Sequence, residues 1–314
     1  MIKNILIMGG SGQLGIELIS FLNNLYSSNI RIFIFDKNFS ENNYGNSIKF
    51  IKGDCSNSKD LNKLPKKIHI IFFLIGFNGG PNSQNIDYAK DYFNYNSQTL
   101  FIFLNKIKNY KIKKMIFAST EHVYGDNSVN FNFPTKQEPY PKNYYGASKI
   151  LSEKILYSFY KNQPNTSVDI FRIPRVINYS GSDLISKMIQ DVIYKNKIIL
   201  STSRSKFNFI FINDLLKAFE NSMKQCKKGF RILNIFNNSQ PLSLKGIASR
   251  IFRDLRIKKK IIVHNNRSLS DHNPVNLKIS NKYSKKELKW NPLFNTDKII
   301  NELICHNVFK KNIR

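Results

Sequence analysis

Tyr145-Gly146-Ala147-Ser148-Lys149 places a phenol and an ammonium four residues apart. On a helix that spacing puts both on one face. An ammonium beside a phenol favours the phenolate, which would fit Tyr145 to move a proton while a hydroxyl and a carbonyl interconvert. Tyr110/Lys114 and Tyr157/Lys161 repeat the spacing, so spacing alone does not select the pair. What selects it is the segment upstream, Ala118-Ser119-Thr120-Glu121-His122-Val123-Tyr124-Gly125, which delivers a hydroxyl, a carboxyl and an imidazole in succession. Glu121 and His122 are both types that move protons, although a loop histidine tied to backbone is an equal reading of His122.

A second constellation lies at the start of the chain. Gly9-Gly10-Ser11-Gly12-Gln13-Leu14-Gly15 follows a strand-like run and opens a helical one, with Gly9, Gly12 and Gly15 spaced as G-x-x-G-x-x-G. Such a turn lets backbone approach a pyrophosphate closely, and the helix start offers free N–H groups and a positive dipole end to it. Asp36 ends the next apolar run, about 20 residues on, where a carboxylate grips an adenosine ribose diol. A carboxylate there repels a 2′-phosphate, so NAD is expected rather than NADP. Asp54 after the third run is a candidate for the adenine, with an ordinary turn aspartate as the alternative. Gly76 closes the fourth run, where backbone could approach the cofactor.

These residues need a scaffold that brings strand ends together. Ile5–Met8, Ile30–Phe35, Ile48–Ile51, Ile68–Ile75, Met115–Ser119 and Val168–Ile173 read as buried strands. Gln13–Leu25, Tyr88–Lys108 and Tyr144–Tyr160 read as helices between them. The alternation predicts an α/β fold, a Rossmann-type doubly wound parallel sheet. After residue 175 the pattern loosens, and 176–314 is expected to form a smaller substrate-binding α/β lobe capping the nucleotide-binding part, 1–175, with some interleaving.

Composition narrows the class further. Of 314 residues, 41% are hydrophobic and 22% charged, ordinary for a globular chain, and no apolar run is long enough to span a bilayer. The three cysteines are dispersed, with neither metal-ligand spacing nor a disulfide framework, and strand residues begin almost at Met1; no metal and a cytoplasmic location are expected. Net charge is +28, yet the lysines are scattered, so solvated faces are expected rather than a nucleic-acid partner.

With these motifs in order, the chain resembles the extended short-chain dehydrogenase/reductase family, the NAD-dependent epimerases and dehydratases of nucleotide sugars. Phe209-Ile210-Phe211-Ile212-Asn213-Asp214 resembles the family's late strand-to-helix segment, and Leu288-Lys289-Trp290-Asn291-Pro292 its closing Leu-Gly-Trp-x-Pro. The resemblance implies that Tyr145 takes the proton of a sugar C4 hydroxyl while C4 passes a hydride to bound NAD⁺, later returned. Lys149 would hold the nicotinamide ribose, and Thr120 would hydrogen-bond both the substrate oxygen and Tyr145. Relatives that dehydrate read Ser-Thr-Asp-Glu-Val-Tyr-Gly. Here Glu121 is one methylene longer and His122 replaces a carboxylate. A 4-epimerase needs neither group, so epimerisation ranks first, with a 4,6-dehydratase using Glu121 and His122, a sugar reductase, and a non-catalytic dinucleotide-binding scaffold as alternatives.

The resemblance also marks departures at the substrate end. Phe207 stands where the family carries a nucleotide-gripping Arg, and Arg175 replaces the Asn of its Arg-x-x-Asn-Val. Arg175, Arg204 and Arg267 are therefore the candidate anion-binding residues, a role for which guanidinium is suited. By resemblance, Tyr88–Lys108 and Tyr144–Tyr160 would build a homodimer interface.

Overall fold

A computed structural model describes residues 3–26, 29–38, 47–78, 80–125, 139–201, 206–225, 227–258, 260–264 and 279–312. Its first half alternates as the apolar runs predict: β1 (Lys3–Met8), α1 (Gln13–Tyr26), β2 (Ile30–Asp36), β3 (Ile48–Lys52), β4 (Ile70–Phe73), α2 (Ala89–Tyr92), α3 (Thr99–Ile107), β5 (Lys114–Thr120), α4 (Tyr144–Asn162) and β6 (Ser167–Ile173). The second half contributes β7 (Arg175–Ile177), α5 (Leu184–Lys195), β8 (Ile198–Ser201), β9 (Lys206–Phe207), β10 (Phe209–Phe211), α6 (Ile212–Lys224) and β11 (Phe230–Asn234). It closes with β12 (Leu242–Ser243), α7 (Leu244–Asp254), β13 (Ile261–His264), α8 (Lys282–Leu288) and α9 (Thr296–Asn312).

Seven strands form one parallel sheet in the order β11-β6-β5-β4-β1-β2-β3. The chain winds outward from β1 to β3, then restarts at β4 on the other side of β1. That reversal opens a crevice beyond the carboxyl ends of β1 and β4. The strands are Ile- and Phe-rich because both faces are covered. Ile5 and Ile7 pack with Leu18 and Leu22 of α1 and Phe219 of α6, while Leu6 and Met8 face the layer of Phe103 and Leu156. Burying each such side chain is worth about 1.5–3 kcal/mol, which fixes the strand register.

The helix expected over Tyr88–Lys108 is interrupted. Between α2 and α3 lies a π-helical turn, Phe93–Gln98, which adds a residue to the turn and re-aims one side chain. That side chain is Asn96, fully buried, whose Oδ1 accepts from Phe77 N (2.6 Å) and whose Nδ2 donates to Ser148 Oγ (2.8 Å).

Around α5, α7 and α9 a further core gathers Ile189, Phe209, Phe211, Ile251 and Leu303. It is edged by three strand pairs, β7–β10, β8–β13 and β9–β12. β11 returns from this half of the chain to complete the large sheet beside β6. Among the described residues no helix is long and apolar enough to cross a membrane.

Candidate active site

β1 ends at Met8 and the chain turns at Gly9, whose φ of +87° is the left-handed region that glycine adopts without strain. α1 then starts at Gln13. Gly15 faces straight back into the turn, where a side chain would put its Cβ 2.5 Å from Gly9 O and 2.6 Å from Gly10 Cα. A Cβ on Gly12, in contrast, would meet nothing closer than Gly9 O at 3.5 Å. The turn therefore packs tightly on its inner side and leaves its outer side bare. Gly9, Gly12, Gln13, Leu14 and Gly15 form one end of a cavity of about 820 Å³.

Thr120, the last residue of β5, and Tyr145 and Lys149, one turn apart on α4, line the same cavity. α4 starts where it does because Asn143 Oδ1 caps it, accepting from Gly146 N at 2.7 Å. The Thr120 side chain is close enough to the Tyr145 phenol to favour its phenolate form. Lys149 is buried, donates to Ala118 O at 3.0 Å, and lies 4.9 Å over the Phe117 ring. Gly76 has a specific reason to be glycine, since a Cβ there would sit 2.9 Å from Lys149 Nζ and 3.3 Å from Asn96 Oδ1.

The electrostatics depart from the sequence expectation. Lys149 was expected to pull the Tyr145 phenol down. Instead burial pushes Tyr145 up to about 12, outweighing the opposing effect of Thr120. Burial likewise pushes Lys149 down to about 8, against the neighbouring charge of Glu153. The packing that brings the two groups together also penalises charge on each.

Glu121 and His122 also line the cavity. Glu121 is buried, accepts from Asn208 Nδ2 at 3.0 Å, and is pushed up to about 7 by burial, with Asn208 and the Arg175 charge opposing. His122 pairs through Nδ1 with Asn143 Nδ2 at 3.0 Å. Arg175 joins the wall, its guanidinium 4.8 Å over the ring of Phe207. Three of the positions at which this chain departs from the pattern it resembles, 121, 175 and 207, are thus neighbours in space.

Two candidates stand apart from the cavity lining. Asp36 Oδ2 accepts from Ser11 N at 2.9 Å, tying the end of β2 to the glycine turn. Asp54 closes its own turn through Ser56 N (2.8 Å) and Ser56 Oγ (2.7 Å), contacts that hold its carboxyl below the usual range. Arg204 and Arg267 lie outside the described residues.

Sequence reading missed Asn96, Asn208 and Glu153. Glu153 was visible as the next i+4 step after Tyr145 and Lys149. Asn96 gave no signal, because only the π turn aims it at the strand end.

The molecule is a doubly wound α/β protein in which a glycine turn and a Thr–Tyr–Lys group line one cavity. The chain belongs to the NAD-dependent epimerase/dehydratase family, whose model matches residues 5–235. NAD is the cofactor of that family, and the bare outer side of the glycine turn, the carboxylate of Asp36 and the backbone at Gly76 suit it. A dTDP-D-glucose 4,6-dehydratase of Dictyostelium discoideum is 28% identical over 268 residues, 75% of this chain and 58% of that protein. A UDP-glucose 4-epimerase of the same organism is 25% identical over 203 residues, 60% of this chain and 56% of that one. The match therefore spans little more than half the length of these relatives. In fold, the chain is similar to a UDP-glucuronic acid 4-epimerase from Bacillus cereus solved with UDP-glucuronic acid and NAD (TM-score 0.81, 19% identity, covering 99% of this chain and 100% of that one). It is also similar to a dTDP-glucose 4,6-dehydratase from Bacillus anthracis solved with NAD (TM-score 0.77, 18% identity, covering 99% and 98%).

Proposed function

We propose that this protein is a nucleotide-sugar 4-epimerase that works by transient oxidation at C4. The observation that carries the reading is that Thr120, Tyr145 and Lys149 line one cavity together with the glycine turn, Lys149 one turn beyond Tyr145 on α4. Bound NAD⁺ supplies the hydride acceptor and donor. Tyr145 exchanges the proton of the C4 hydroxyl, Thr120 orients that oxygen, and Lys149 holds the cofactor ribose and brings positive charge. The glycine turn with Gln13 and Leu14 holds the pyrophosphate, Asp36 the adenosine ribose, and Gly76 leaves room for the cofactor beside Lys149. Arg175 grips an anionic part of the substrate from the opposite wall, in place of the guanidinium that position 207 lacks.

Epimerisation needs only this group and space for the ketose to turn over. Elimination would need Glu121 and His122 free to act, and Glu121 is engaged by Asn208 and faces Arg175. The second reading is nonetheless a 4,6-dehydratase. It is favoured by the position of both side chains in the cavity wall and by a Glu121 carboxyl pushed up to about 7, which is half-protonated near neutrality.

The test is an NMR time course with UDP-, dTDP-, GDP- and CDP-hexoses and NAD⁺, beside Tyr145→Phe. A C4 epimer formed by the parent chain alone supports the first reading. A 4-keto-6-deoxy product replaces it with the second, and silence across the panel with NAD still bound rejects both for these substrates.

A further inference from the structure

Beneath the Tyr145–Lys149 face, the side chains of Arg172, Glu153, Ser119, Tyr124 and Asn234 are buried together, and of these Ser119 alone lines the cavity. Arg172, among the largest fully buried side chains at 1% exposure, donates through Nε (3.1 Å) and Nη2 (2.6 Å) to the two oxygens of Glu153. Ser119 Oγ donates to the same carboxylate. The guanidinium lies 4.7 Å over the Tyr124 ring, and the Tyr124 hydroxyl donates to Asn234 Oδ1 at 2.7 Å. The sheet register makes this one construction: Ser119, Arg172 and Asn234 are direct partners across β5, β6 and β11. Glu153 reaches down to that row from α4, one turn beyond Lys149. Ser119 immediately precedes Thr120, and Ala118, which accepts from Lys149 Nζ, precedes Ser119.

A buried ion pair of this kind adds little net stability compared with apolar packing, so its presence calls for another reason. We propose that Glu153, clamped by Arg172 and Ser119, is the positioning residue that locks α4 to the end of β5 and sustains the charge of Lys149. This rests on the reading of Thr120, Tyr145 and Lys149 as the reacting group, but its test does not need the substrate.

The physical argument has two parts. A bidentate guanidinium–carboxylate pair fixes direction as well as distance, so α4 cannot slide or roll against β5 without breaking it. Second, burial alone drives Lys149 toward its neutral form, and Glu153 is the charge opposing that drive. The other titratable groups around this face act weakly or in the wrong sense. Tyr145 and Tyr92 are phenols, His122 is held through Asn143, Glu121 is itself driven neutral by burial, and Arg172 is a cation.

The experiment is competitive acetylation with acetic anhydride from pH 6 to 11, read peptide by peptide by mass spectrometry on the full chain. Only a neutral amine reacts, so the pH dependence reports the protonation of Lys149. In Glu153→Gln, which keeps the shape and one acceptor oxygen, Lys149 should label about fivefold or more faster at pH 7 relative to surface lysines. Glu153→Asp should restore most of the parent curve. Because Glu153→Gln leaves Arg172 buried without its counter-charge, the double variant Glu153→Gln/Arg172→Gln covers a failure to fold. Its Lys149 curve should lie between the other two. Parent-like Lys149 curves in folded Glu153→Gln or in the double variant would overturn the proposal. A shifted curve from a protein inactive on every sugar of the panel would leave the proposal standing and reject the functional reading instead.

Discussion

The imidazole of His122 meets the ring of Tyr145 edge-on, with centroids 5.5 Å apart and planes at 70°. The histidine that replaces a carboxylate in this chain therefore abuts the phenol assigned to proton exchange. His122→Asn separates the two functional readings. For a 4-epimerase, turnover should fall by less than tenfold, since the imidazole only packs. For a dehydratase it should fall by at least a hundredfold, as expected for loss of a general base, and steady-state kinetics on the active sugar decides.

Lys149 makes a stability prediction whose sign follows from linkage. Burial pushes Lys149 in the folded protein down to about 8, below its ordinary value of 10.5. The unfolded chain thus binds more protons between those values, and the Lys149 contribution to stability rises with pH across that window. Below about 8 the buried charge is a full cost. Lys149→Met should therefore raise stability at pH 7 by about 1–3 kcal/mol while abolishing activity, with denaturant melts at pH 7 and 10 showing the gain shrink.

The same number bears on the rate. If Lys149 must be charged, turnover should decline as pH rises through about 8. A profile that stays flat to pH 10 would remove Lys149 from the charged role.

Arg175 lines the cavity with its guanidinium 4.8 Å over the Phe207 ring. Arg175→Asn should raise KM for an anionic substrate by about tenfold or more, with kcat affected less, as the proposed role of Arg175 in gripping the anion requires. Phe207→Leu should have a smaller effect in the same direction. Equal losses in kcat for both would move Arg175 into the chemical step.

Far from the crevice, Asp169 is fully buried and bonds Lys114 Nζ (2.9 Å) and Arg231 Nε (2.7 Å). Asp169→Asn should destabilise by about 3–5 kcal/mol without changing KM, since buried Lys114 and Arg231 lose this shared carboxylate and Arg231 keeps Glu287 only at 3.5 Å. A thermal melt within a degree of the parent would show that the network is dispensable.

The sheet and the glycine turn were legible in the sequence because burial on both faces writes continuous Ile/Phe runs, and a tight turn demands glycine at fixed offsets. Thr120, Tyr145 and Lys149 were legible as a face and a strand end. What was not legible is what long-range packing decides: the π turn that aims Asn96, the reach of Asn208 to Glu121, and the burial that reverses the expected effect on Tyr145. None of these follows from residues adjacent in the chain.

The placement of β11 has a consequence for how the chain comes to be. Strand β6, which carries Arg172, stays an open sheet edge until Phe230–Asn234 has been synthesised and has docked beside it. During translation the nascent protein presents an unsatisfied edge next to its own reactive centre for a long stretch of elongation. A truncation ending after β10 should therefore aggregate rather than yield a smaller folded unit, even though every residue assigned to proton exchange is already present in it.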